Sequence, residues 1–332
     1  MKVRKAVRAL VNPWRAYREK IDGIHALLDK FNRTQFRLDR MTDERNHLQG
    51  VLDQSAAIQF YPPGHFYSPV PSRSDVDEHL QRLNTDSPSH ELPAIDLDGQ
   101  GQLALLEALK PHYGRAPFQA HPTEGLLYHF DNPNYPHTDG IILFCMLNHL
   151  RPQRLIEIGS GYSTCATLDT NRLFLDSGME ITTIEPHPEL LRSLTVKSND
   201  ALTIIESKLQ DVRIEIFDRL ERDDILFIDS SHISKAGSDV NYIVFELLPR
   251  LKPGVMIQIH DIYFGFEYPG VWLREGRAWN EAYLLRAFLQ YNQRFRIRLF
   301  ISYLQSMYEP WFREHMPDTL LSKGGCFWME KV

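Results

Sequence analysis

The chain has 332 residues, 43% of them hydrophobic, and a formal net charge of −6. That length allows one large domain with appendages, or two domains, and the acidic balance leaves no electrostatic footprint for nucleic acid. The three cysteines, Cys145, Cys165 and Cys326, suit neither a zinc site nor a disulfide framework, and no run reaches the ~18 apolar residues of a membrane-spanning helix.

The charge is uneven. Residues 1–53 hold 12 Lys/Arg against 7 Asp/Glu, which leaves −11 for the remainder. Arg8, Asn12 and Pro13 interrupt any signal-peptide core, so the expected location is the cytoplasm. Apolar or aromatic residues recur at Val3, Val7, Leu10, Trp14, Tyr17, Ile21, Ile24, Leu28 and Phe31, and the series resumes at Leu38. Alternating steps of four and three make a heptad seam. Three uses of this N-terminal helix, residues 1–56, stay open. It could pack on its own domain, self-associate into a homo-oligomer, or rest peripherally on an anionic membrane surface.

Residues 57–138 are rich in Pro, His and aromatics, as in "FYPPGHFYSPVPSR" and "FDNPNYPHTDG". Short helices are expected at 75–84 and 101–111, and the prolines exclude a long regular element. The segment reads as a wrap around a core or a cap facing substrate, in which His65 and Tyr67 could close over an acceptor. Aromatics of "FDNPNY" and "EYPGVW" could stack on a sugar or fill core.

The texture changes over 139–332. A helix "DGIILFCMLNHL" precedes strand "RLIEIG". Strands "EITTIEP", "ALTIIES", "DILFIDS" and "GVMIQIHD" follow, with helices "ELLRSLTV" and "SDVNYIVFELLPRL" among them. Helix "NEAYLLRAFLQ" then leads to strands "FRIRLFIS" and "GCFWMEKV". Apolar strands alternating with helices predict an α/β, Rossmann-like doubly wound sheet, mostly parallel. The last two strands, read without a helix between them, are expected to form an antiparallel edge.

Ligands of such sheets sit beyond the carboxyl ends of the strands. Glu157-Ile158-Gly159-Ser160-Gly161-Tyr162-Ser163 follows the first strand as a small-residue turn that lets backbone approach a ligand. It lacks the third glycine of a dinucleotide fingerprint. Glu185 ends the second strand, where a carboxylate can accept from ribose hydroxyls. The fourth and fifth strands end in "FIDSSH" and "IHD", which place Asp229, His232, His260 and Asp261 around one crevice. A hydride-transfer site does not need that cluster.

From about residue 140 onward the chain resembles class I S-adenosylmethionine-dependent methyltransferases, in particular the bacterial family related to sugar and macrolide O-methyltransferases. The pieces that carry the resemblance are "LIEIGSGYST", "TIEPHP", "DILFIDSSH", "LPRLKPGVMIQIHDI" and "GFEYP". It implies that Glu157, Gly159, Ser160 and Gly161 line the methionine end of S-adenosylmethionine, that Ser163 meets its carboxylate and that Glu185 meets its ribose. A more distant similarity, to catechol O-methyltransferase, implies Gln210 at the adenine and Asp229 at the cofactor and a metal. His232 stands where that enzyme has a catalytic lysine, and His260-Asp261 where it has an Asp-Asn metal pair.

Methyl transfer from a sulfonium is an in-line displacement in which the protein contributes orientation and a better nucleophile. A hydroxyl acceptor must lose its proton, and imidazole is suited to take it. The expected base is His232, with His260 as a second base or a ligand. Asp229 and Asp261 could hold Mg²⁺. The acceptor implied is a small molecule, sugar or glycan. Two other classes remain: a non-catalytic cofactor-binding or oligomerising subunit, and another Rossmann-like enzyme such as a hydroxylase-like or nucleotide-sugar enzyme.

Overall fold

The computed structural model describes residues 61–85 and 91–332, together with scattered helical positions between 20 and 46. It divides into two compact units, 1–72 and 73–332. In the first, Ile24, Phe31 and Leu38 of the heptad series are helical and exposed. The other positions of that series lie outside the described residues. Tyr61 stacks on His65 at 4.0 Å between centroids, and Tyr67 lies 5.2 Å from Tyr61.

The second unit is built on one seven-stranded sheet. Its helices begin with α1 (Arg73–Thr85), α2 (Gly99–Tyr113) and α3 (His137–Leu150). The Asp98 carboxylate caps α2 by accepting from Gly101 N at 3.1 Å, satisfying a donor the first turn leaves free. Every residue of α3 from Thr138 to Asn148 is buried. A helix apolar on all sides belongs in the interior, and α3 lies between α2 and α4 (Tyr162–Phe174). Residues 118–135 of the Pro-rich segment wrap this core. Phe118, Tyr128 and Tyr135 are buried, and the Asp169 carboxylate of α4 accepts from Leu127 N and Tyr128 N at 2.8 and 2.9 Å.

The strands are β1 (Arg154–Ile158), β2 (Glu180–Ile184), β3 (Thr203–Ile205), β4 (Ile225–Ile228), β5 (Met256–Ile259), β6 (Phe295–Phe300) and β7 (Phe327–Lys331). Their order is β3-β2-β1-β4-β5-β7-β6. The first five are parallel, and β7 runs antiparallel between β5 and β6. Helices cover both faces of this Rossmann-like mixed sheet. The antiparallel edge is present, with one correction. Helices α9 (Ile301–Met307) and α10 (Glu309–His315) separate β6 from β7, so the chain has the length to step over and insert β7 beside β5. The expected connection had no helix because Pro310 and Pro317 fall inside "SMYEPWFREHMPDTL", and proline after a short run reads as loop. Both prolines instead stand in the first turn of their elements, where the missing N–H costs nothing.

The register positions the site. Ile158 pairs with Ile184 and Ile228, Ile184 with Ile205, and Ile228 with Ile259. Five strands therefore stop at one level, and the next residues, Glu206, Glu185, Gly159, Asp229 and His260, form a row along the carboxyl edge. The ladder continues one step into that row: Glu185, Gly159, Asp229 and His260 each donate their N–H to the neighbouring strand's terminal isoleucine carbonyl at 2.9–3.0 Å. The remaining helices are α5 (Glu189–Thr195), α6 (Asp239–Tyr242), α7 (Gly270–Arg274) and α8 (Glu281–Leu289). After α6 one π turn, Ile243–Leu247, precedes Pro249, whose missing N–H interrupts the α-helical ladder.

Candidate active site

The two glycines of the β1–α4 turn have different reasons to be glycine. Gly159 has φ +92°, and a Cβ there would stand 1.8 Å from the Asp229 carbonyl oxygen. It is required by the packing of β1 against the end of β4. At Gly161 a Cβ would meet only Leu190 Cδ2, at 3.9 Å. Its outer face is open, which is what close ligand approach needs. Ser160 is half-buried beside it.

Glu157 is buried on β1 and accepts from Ser163 Oγ and from Thr164 Oγ1, the latter at 2.6 Å. Thr164 Oγ1 also accepts from Gly161 N at 3.1 Å. Burial pushes the Glu157 carboxyl up to about 8, against the two hydroxyls that pull it down. The Ser163 hydroxyl, expected at the cofactor's carboxylate, is thus engaged by Glu157, and this pair organises the turn. Glu185 is half-buried, and its Oε1 accepts from His187 N at 2.8 Å. Gln210 donates from Nε2 to Gly237 O at 2.7 Å, tying the loop after β3 to the loop after β4.

Beyond β4 and β5 the expected side chains come together. His232 and Asp261 both have φ +58°, a left-handed conformation uncommon outside glycine and frequent at functional sites. His232 is 6% exposed. Its Nδ1 is hydrogen-bonded to Glu281 Oε2 at 2.9 Å, and its Nε2 faces Asp229 Oδ1 at 3.4 Å and Asp261 Oδ2 at 3.7 Å. The start of α8 clasps the same loop. Asn280 N and Glu281 N donate to His232 O, each at 3.1 Å, and Asn280 Oδ1 accepts from Ser234 N. Burial alone would lower the imidazole's pKa, but hydrogen bonds to Asp229 and Glu281 and their charges carry it up to about 10. Glu281 itself is raised by burial, opposed by its bond to His232.

His260 is buried over the Tyr135 ring, 5.0 Å between centroids. Nδ1 lies 3.4 Å from Asp229 Oδ1 and 3.7 Å from Asp261 Oδ1, and Nε2 lies 3.6 Å from Asp139 Oδ2. Neither ring nitrogen meets hydrogen-bond geometry, but both lie within ion-pair range of carboxylates, and, against burial, the charges of Asp261 and Asp229 hold the imidazole's pKa well above its ordinary value. Asp229, His260 and Asp261 offer one ligand atom each within 4.8 Å of one another. Burial would raise Asp229, but the neighbouring His260 and His232 hold it well below the usual carboxylate range. Asp261 is raised, by burial first and by the Asp229 charge, against His260.

Glu281 and Asp139 escaped the sequence reading. Each is an acid in the first turn of a helix, where acids are common for the macrodipole alone. Of the aromatic stretches, "FDNPNY" contributes Tyr135 to the core under His260, with Gln258 Nε2 donating to its Oη at 3.1 Å. Trp272 of "EYPGVW" is half-buried, its ring 5.7 Å from that of Tyr263. A cleft of about 710 Å³ lined by Thr123–Leu127, Arg172 and Lys197–Asp200 contains none of the strand-end residues.

Residues 156–262, from β1 to just past Asp261, match a family described as a methyltransferase domain. The chain is 34% identical over 170 residues to a protein of Archaeoglobus fulgidus described as uncharacterized, covering 49% of this chain and 75% of that one. Among solved structures it is similar to an SAH-bound Podospora anserina methyltransferase (17% identity, 69% of this chain and 92% of that chain, TM-score 0.37). Another similar structure is a plantazolicin methyltransferase in complex with a desmethyl analogue and SAH (14% identity, 57% and 82%, TM-score 0.38). Among the described residues no helix is long and apolar enough to cross a membrane. The chain belongs to one family with the archaeal protein, and residues 156–262 within it match the methyltransferase domain family.

Proposed function

We propose that this chain transfers a methyl group to a hydroxyl of a small-molecule, sugar or glycan acceptor, with His232 as the general base. The observation that carries the reading is the clamped imidazole. Glu281 holds Nδ1 at 2.9 Å, and Nε2 is left facing the crevice between Asp229 and Asp261. A base needs its second nitrogen fixed so that the first points at the proton it removes. S-adenosylmethionine, when bound, supplies the electrophilic methyl group. Gly161 lets the backbone approach it, Glu185 accepts from its ribose hydroxyls, Ser160 and Gln210 line its two ends, and Glu157 keeps the turn in shape. Asp229 shapes the boundary between cofactor and acceptor. His232 takes the acceptor proton at Nε2 as the oxygen attacks.

The carboxylates around His232 keep it protonated at neutral pH, so the base form grows as pH rises toward about 10. The donor set also fits a divalent cation such as Mg²⁺: two carboxylates converge with an imidazole whose nitrogens have no hydrogen-bond partner. Asp229, Asp261 and His260 would hold it, and its chemistry there would be to acidify an acceptor hydroxyl. If no cation binds, His260 acts as a second basic group beside Asp229.

The test is a screen for conversion of S-adenosylmethionine to S-adenosylhomocysteine with sugar, nucleotide-sugar and phenolic acceptors, with Mg²⁺ or with EDTA. Turnover on hydroxyl acceptors supports the reading. Tight cofactor binding with no turnover on any hydroxyl acceptor overturns it. Full activity in EDTA removes the metal and leaves His232 alone.

A further inference from the structure

Beside His232 stands a wall of aromatic side chains with no role in the chemistry above. The Trp279 ring lies 4.4 Å from the His232 ring, Trp272 lies 5.3 Å from Trp279, and Tyr263 lies 5.7 Å from Trp272. Tyr263 Oη returns to Asp261 Oδ1 at 3.3 Å. The sequence of contacts therefore runs from the base through three aromatic rings back to the carboxylate at the end of β5. Trp272 and Trp279 are half-buried, so part of each ring is available for contact. Two cations stand on these rings. The Arg277 guanidinium lies 4.7 Å from the Trp272 centroid and 5.1 Å from that of Trp279, and Lys323 Nζ lies 5.5 Å from that of Tyr263. Arg277 shares Glu275 at 2.9 Å, both groups being more than one-third exposed, and Lys323 makes no ion pair among the described residues.

We infer that the wall and its cations form the acceptor subsite, and that the acceptor is a hydroxylated ring, a sugar, bearing an anionic group. The inference rests on the O-methyltransferase reading of the same crevice. The polarity of the crevice carries it. The floor holds Asp229 and Asp261, which repel an anion, while the aromatic wall suits the C–H face of a sugar and the cations suit its charge. Trp272 and Trp279 meet edge to face at 72°, so a ring stacked on Trp279, beside His232, offers it a hydroxyl and keeps its anion at Arg277 or Lys323, away from the floor. Guanidinium and ammonium both recognise phosphate and carboxylate, so the shared chemistry is an anion on a sugar ring.

The test measures binding apart from turnover. Full-length protein saturated with S-adenosylhomocysteine is titrated with glucose 1-phosphate, glucuronate and methyl glucoside, and tryptophan fluorescence is followed. The expected result is at least about tenfold tighter binding of one or both anionic sugars than of the neutral glycoside, roughly one charge-assisted contact. The two anionic arms tell phosphate from carboxylate. Arg277→Ala with Lys323→Ala should erase that preference and leave binding of S-adenosylhomocysteine unchanged. Equal binding of neutral and anionic sugars, or a preference that survives the double substitution, overturns the subsite. Anion-selective binding with no methylation of any sugar would uphold the subsite and overturn the O-methyltransferase reading. Methylation of neutral sugars at a rate indifferent to the double substitution would do the reverse.

Discussion

The two halves of the carboxyl edge are built differently. Beyond β1 and β2 the polar contacts are local. Glu157 bonds to side chains six and seven residues on, and Glu185 to a backbone N–H two residues on. Beyond β4 and β5 they are long-range. His232 is held by Glu281, 49 residues away, and His260 faces Asp139 on α3, before the sheet begins. In the function proposed above, the half given to the cofactor is a turn that shapes itself, and the half given to the acceptor is assembled only when α3, β4, β5 and α8 are all in place. The difference teaches that cofactor binding and acceptor activation should separate under substitution.

After His232, the next expected separation is at Asp261. Asparagine tolerates the left-handed backbone that Asp261 adopts, so Asp261→Asn should keep the fold while removing a charge from the acceptor half. Turnover should fall by roughly a hundredfold or more, the scale of lost acid–base assistance. Calorimetry should give an S-adenosylhomocysteine affinity within a few-fold of wild type. Loss of both together would break the comparison.

The glycine pair sharpens it within the cofactor half. Gly161→Val should weaken S-adenosylhomocysteine by about 5–150-fold, an overpacking cost of about 1–3 kcal/mol, with the denaturation midpoint unmoved. Gly159→Ala should destabilise the protein by at least about 2 kcal/mol in urea, since a strained φ and a clash with the Asp229 carbonyl add together. Exchanged outcomes would contradict the roles given to the two positions. At Glu185, replacement by alanine should cost about 1.5–3 kcal/mol of cofactor affinity, the worth of hydrogen bonds to a charged group, and leave the alkaline rise of turnover in place.

The smallest effect is one of pH. The Glu157 carboxyl rises to about 8 from the ordinary value of 4.5 because it is buried. The folded state therefore binds more protons than the unfolded state between those values, and stability should decline as pH rises through that window. Glu157→Gln cannot titrate, so its melting temperature should decline less between pH 5 and 8. Parallel curves would show that Glu157 is not held protonated.

Legibility in the sequence follows the same division. The parallel strands were readable because strands buried on both faces are continuous apolar runs, and the glycine turn because its requirements lie within a few residues. Asp229, His232, His260 and Asp261 were readable as strand ends. Glu281 was not, because "NEAYLL" is an ordinary helix start until α8 is docked on the loop after β4. The insertion of β7 beside β5 was also hidden, since it depends on two short helices whose prolines read as loop. Trp279, in contact with His232, lies in a connection that no periodicity marks.

The most direct measurement pairs turnover with cofactor affinity in His232→Ala, on the best acceptor from the hydroxyl screen. Turnover should fall by about 10²–10⁴, the alkaline rise of the wild-type rate should vanish, and S-adenosylhomocysteine should bind as before. Near-normal turnover in His232→Ala, with the alkaline rise retained, would contradict the assignment of His232 as the base.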